Sequence, residues 1–199
     1  GWGSLRANTT GSNNTAVGRD AGNDITTGGT NVAVGFTALG TDTVGSKSAA
    51  VGAYALATQN PSTATDMYNT GIGYNAGGVI TTGFQNTLIG GLAGDALTDA
   101  DYNVAVGVSA LTSDTLGSKS TAIGSGALAA QNFTSATDAY NTAVGFYAGI
   151  GITTGIRNTL IGGLAGDSIT TANKNTMVGY NTGTGITTGT DNTFMGADV

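Results

Sequence analysis

The chain has 199 residues, no His, no Cys and twelve acids, all Asp, against six Lys plus Arg, for a net charge of −6. Nucleophilic triads lose their usual base and thiolate in such a composition, and only paired Asp residues remain for glycoside chemistry, so no enzyme activity, metal or cofactor is expected. Arg6, Arg19, Lys47, Lys119, Arg157 and Lys174 come singly along the sequence, where a nucleic acid would need a basic stripe.

No apolar run is long enough to cross a bilayer, and no basic region followed by an apolar segment marks a signal peptide, so no membrane insertion is expected. Gly supplies 35 residues and Pro one. Small apolar residues recur at fixed positions, which points to an ordered narrow core rather than disorder.

Taken from the N-terminus, the first complete phrase is Asn14-Thr15-Ala16-Val17-Gly18, and its closing glycine returns at Gly35, Gly52, Gly73, Gly90, Gly107, Gly124, Gly145, Gly162, Gly179 and Gly196. Gly1 fits the same series. The step is 17 residues nine times and 21 residues twice. A period this short holds two strands and two turns but no helix, which predicts an all-β parallel β-solenoid (β-roll) of about twelve 17- to 21-residue coils. The repeat runs through residues 1–199 as one domain. Because it begins and ends inside a repeat unit, a longer fibre is expected around it.

Within a coil, the residue before each glycine is Val17, Ile89, Ile161 or an equivalent, and this column is expected to fill the coil's own interior. Alternation sends the preceding column (Ala16, Ala105, Ala122 and equivalents) to the opposite face. A strand apolar on both faces is normally buried on both, so the Ala column is expected to meet another chain, making a homo-oligomer and most simply a homotrimer. Ala21 and its equivalents three residues past the glycine mark a tight corner. Eight residues past the glycine a Thr column (Thr26, Thr98, Thr170 and equivalents) predicts a second strand. The leading Asn (Asn14, Asn86, Asn158 and equivalents, with Ser48 and Ser120 as exceptions) predicts a hydrogen-bonded ladder along the axis.

The two 21-residue steps lie 72 residues apart, so segments 31–102 and 103–174 form an internal duplication. Each half carries one protruding loop, roughly Ala57 to Tyr68 and Ala129 to Tyr140. Gln59, Asn60, Asp66 and Tyr68, with Gln131, Asn132, Asp138 and Tyr140, are the expected receptor contacts, since binding concentrates on loops held by rigid scaffolds.

The Asn-Thr-Ala-Val-Gly-x-x-Ala-Gly phrase resembles the head repeats of trimeric autotransporter adhesins and the shafts of bacteriophage tail fibres, over essentially the whole chain. The resemblance implies left-handed β-rolls, commonly trimeric, that hold a binding surface away from a cell or virion. A coil period longer than that of common adhesin repeats favours the fibre shaft. The expected function is a structural and adhesive fibre segment, extracellular or on a virion or cell surface, whose partner is a cell-surface glycan or protein receptor.

Three other readings compete. Asp95, Asp99 and Asp101 cluster faintly like a calcium-binding repeat, but the duplicate has Asp167, Thr171 and Asn173. Trp2, Phe36, Tyr54, Tyr74, Phe146, Tyr147 and Tyr180 follow the coil glycines and suit either sugar stacking or mutual packing along the edge. Thr ladders suggest ice binding as the alternative function, although adjacent pairs such as Thr26-Thr27 point opposite ways.

Overall fold

A computed structural model describes all 199 residues as a parallel β-solenoid without helices. Eleven three-residue strands, from Thr15–Val17 to Thr193–Met195, form one parallel sheet in order of sequence. Register is unshifted from coil to coil, so Thr121, Ala122 and Ile123 lie beside Val104, Ala105 and Val106. At roughly 4.8 Å per rung the sheet is about 50 Å long.

Each coil glycine closes its strand at positive φ, +133° at Gly90. A Cβ there would lie 2.5 Å from the Gly107 carbonyl oxygen of the next coil. Backbone stacked on backbone leaves no room for a side chain, which explains the invariance of the position.

The orientation of the strand is the reverse of the sequence expectation. Ala33, Ala50, Ala105, Ala122 and Ala143 are buried inside the coil. Val17, Val51, Ile72, Ile123 and Ile161 face outward. The reason lies on the opposite wall, where residues four and seven past the glycine reach across the interior and fill it.

Two coil types result. One has Gly at the first of these positions and Ile or Leu at the second, as in Gly77 with Ile80 and Gly94 with Leu97; the other has Leu and a polar residue, as in Leu39 with Asp42 and Leu56 with Gln59. A Cβ on Gly77 would lie 2.6 Å from Leu88 Cδ1, and one on Gly71 would lie 2.8 Å from Leu56 Cγ. Bulk supplied by the turns limits the inward strand position to Gly or Ala, except where a neighbouring Gly admits Leu88, Leu160 or Met177 and at the last strand, where Phe194 is partly buried.

The predicted second strand is also corrected. The Thr wall consists of bends, with two short parallel pairs only: Gly45–Ser46 with Thr65–Asp66, and Gly117–Ser118 with Thr137–Asp138. Thr26 N donates to the Thr43 carbonyl, and so does its Oγ1 at 2.9 Å. Thr98 Oγ1 donates likewise to Thr115 at 3.1 Å and Thr170 Oγ1 to Thr187 at 3.2 Å. These hydroxyls hold coils together without a regular strand.

The Asn ladder forms as expected. Asn86 Oδ1 accepts from the Asn103 N–H at 2.9 Å, and Asn86 Nδ2 donates to the Ala100 carbonyl at 2.8 Å. Asn14 and Asn158 make the same two kinds of bond.

Candidate functional site

The outward sheet face carries Thr, Val or Ala at the first strand position and Val, Ile or Met at the last, with no charged side chain on any of its eleven rungs. Val17 is 58% exposed and Ile161 40%. A continuous apolar column of this kind, flanked by an uncharged column mostly of Thr, marks an interaction surface on a folded protein.

One flank is built by the residue before each ladder Asn, or before Ser48 and Ser120 in its place. That residue sits at positive φ in every coil, as in Lys47 (62°), Tyr68 (52°), Gln85 (55°), Tyr102 (60°), Lys119 (62°), Tyr140 (51°), Arg157 (59°) and Lys174 (58°). Basic residues that are isolated in the sequence are therefore aligned in space, four of the six in one column.

Lys47 Nζ lies 2.7 Å from Asp66 Oδ2, donates to Tyr68 Oη at 3.1 Å and stands 5.2 Å from the Tyr68 ring centre. Lys119 repeats the pattern with Asp138 at 2.6 Å and the Tyr140 ring at 5.3 Å. The bond to the carboxylate, followed by that to the phenol, raises both lysine pKa values. Both pairs are open to solvent and add little stability.

Asp66, Tyr68, Asp138 and Tyr140 thus lie at the surface, where the sequence placed them. Asn60 and Asn132 are exposed too, but their Oδ1 atoms accept from Thr43 Oγ1 at 2.8 Å and Thr115 Oγ1 at 3.2 Å. Gln59 and Gln131 are corrections, because both are fully buried and unavailable to a partner.

Gln59 Nε2 donates to Asp42 Oδ2 at 2.5 Å and to Ser48 Oγ at 3.1 Å, while Gln59 Oε1 accepts from Asn69 Nδ2 at 2.8 Å. Gln131 makes the same bonds with Asp114, Ser120 and Asn141. This explains why the ladder has Ser at 48 and 120: the Gln of the long coil enters the space an Asn would fill. Burial raises the Asp42 pKa against the opposing bonds from Gln59, Gly45 and Val44. The sequence reading missed Asp42 and Asp114, although the recurrence of Leu-x-x-Asp where other coils have Gly-x-x-Ile signals them.

The other flank follows the coil glycines. Phe36 and Tyr54 pack edge to face at 5.1 Å, Tyr54 and Tyr74 at 6.1 Å, and Arg19 lies 4.5 Å over Phe36. Mutual packing therefore links Phe36, Tyr54 and Tyr74, while Trp2, Tyr74, Phe146 and Tyr180 remain more than half exposed.

Asp95, Asp99 and Asp101 do not converge. Asp95 accepts from Thr112 Oγ1 at 2.6 Å, Asp99 from Thr82 Oγ1 at 2.5 Å and Asp101 from the Phe84 N–H at 3.0 Å, three separate links between coils. Burial raises the Asp101 pKa, with the Phe84 bond opposing. No family model, curated protein or solved structure matches the chain.

Proposed function

We propose that the protein is a self-assembling segment of an extracellular or virion fibre, with structural and adhesive function, whose copies pack through the outward Val/Ile face. The observation that carries this reading is the uncharged strip over eleven rungs, an unbroken Val/Ile/Met column beside a column mostly of Thr. A second copy is its best occupant because its rungs have the same pitch and its two long coils fall at the same levels over that length.

The area is sufficient. The two flanking columns stand six positions apart, up to roughly 20 Å of chain, so the strip and its flanks offer up to about 1,000 Å² per chain against the ~800 Å² of a standard interface. A homotrimer closes such a strip around an axis with all three copies equivalent. Asp66 and Asp138, two positions before the flanking column, and the exposed Asn60 and Asn132 then lie outside the packed strip as the receptor-contact candidates. Sedimentation equilibrium of the native chain tests the reading: a three-chain mass supports it and a single-chain mass overturns it.

Ice binding is the second reading, now resting on different residues. The Thr26-type hydroxyls are engaged with the next coil, but the outward face presents two straight columns, Thr15, Thr70, Thr87 and equivalents beside Val17, Ile72, Ile89 and equivalents. Thermal hysteresis by a monomeric protein supports this alternative.

A further inference from the structure

We infer that the two flanking columns form a complementary seam between copies, in which the column before the ladder Asn of one chain meets the column after the coil glycine of the next at the same coil level. This rests on the self-assembly reading above and adds the residues that set orientation and register. With the symmetry axis along the solenoid, turning one strip onto the next brings left flank against right flank. With antiparallel copies, like flanks meet instead.

Side-chain size favours the first arrangement. Long side chains on the left share a coil with minimal ones on the right at Gln85 with Gly91, Lys119 with Ser125 and Arg157 with Gly163, while Tyr68 with Tyr74 and Tyr140 with Phe146 bring aromatic rings together. Thr30 with Phe36 inverts the pairing while keeping the sum similar. A Cβ added at Gly91 would meet nothing within 4 Å in its own chain, so that position is vacant on the surface and open to a neighbour's side chain.

Charge points the same way. The left column holds Lys47, Lys119, Arg157 and Lys174, and at equal level the right column offers them Ala53, Ser125, Gly163 and Tyr180, none of them a cation. Lys174 beside Tyr180 of the next copy is a cation–π pair of the kind Lys47 already makes with Tyr68 inside its own chain. Left columns apposed antiparallel at full overlap would set Lys47 against Arg157, a like-charge pair that the same-level seam avoids.

Cysteine pairing tests the seam, since the native chain has no thiol. Gln85→Cys and Gly91→Cys on one chain stand on opposite flanks of the strand Thr87–Ile89, six residues and up to roughly 20 Å apart, too far to bond to each other within a chain. The seam predicts that the double variant oxidises to a covalently closed oligomer, that each single variant stays a single chain on a non-reducing gel, and that the two singles refolded together yield a cross-linked dimer. Dimers from either single variant alone, or an assembled double variant that fails to cross-link, would overturn it. A native protein of single-chain mass removes the assembly reading itself, and the seam with it.

Discussion

Gln59 places its Nε2 2.5 Å from Asp42 Oδ2, one coil and seventeen residues away, and both side chains are fully buried. The direction of this bond is dictated by the Asn ladder. Asn69 Nδ2 donates to Gln59 Oε1, which turns the amide nitrogen toward residue 42 and requires an acceptor there. Asp42 supplies one on each oxygen, the second taking the Gly45 N–H at 2.7 Å. Replacing Gln59 by Ala should cost about 1–3 kcal/mol in chemical denaturation, since it leaves a buried carboxylate oxygen without a donor. Tyr68→Ala should leave stability within about 0.5 kcal/mol of the native value.

The pH dependence follows from the raised pKa of Asp42. Folding favours its protonated form, so this contribution to stability is fully present below the unfolded value near pH 4 and is lost as pH rises through the elevated folded value. Asp42→Asn does not titrate. The melting-temperature difference, native minus variant, should therefore fall as pH increases from about 3.5 toward neutrality; a difference that grows over that range contradicts the assignment.

Ala105 and Ile123 separate core from surface. Ala105→Asp buries an unpaired charge and should cost about 3–5 kcal/mol of folding stability, seen as a lower denaturation midpoint and local loss of amide protection. Ile123→Asp lies on the outward face and should leave the secondary structure of the coil intact.

Asn103 accepts from the Ser120 N–H at 2.9 Å and donates to the Gly117 carbonyl at 2.9 Å. Asn103→Ala strands two buried backbone groups and should destabilise by about 2–4 kcal/mol, whereas Asn14→Ala, at a partly exposed end of the ladder, should cost less. Equal losses at both positions would show that the ladder is not the source.

The coil period, the Asn ladder and the parallel stacking were legible because each depends on a residue type that recurs at fixed spacing. Which face of the strand is inside was not. Val17 and Ala16 are both apolar, and alternation says only that they oppose each other. The choice is made by Leu56, Ile80 and their equivalents, which come from the far wall and consume the interior volume; that is a packing relation between positions ten or more residues apart. Lys47, Lys119, Arg157 and Lys174 looked scattered because the eye follows the sequence, whereas a coil turns every seventeenth or twenty-first residue into a spatial neighbour. Gln59 and Gln131 looked like loop residues for the complementary reason: the extra residues of the long coil protrude, but the Gln that opens them turns inward to meet Asp42 and Asp114.

The central claim is that copies associate through the outward Val/Ile face, and multi-angle light scattering of the native chain beside Ile123→Asp/Ile161→Asp tests it most directly. The expected result is three times the 19.4 kDa chain mass for the native protein and the single-chain mass for the variant, with unchanged circular dichroism. A variant that keeps the full oligomer mass while folded, or a native protein that is already a single chain, would contradict it.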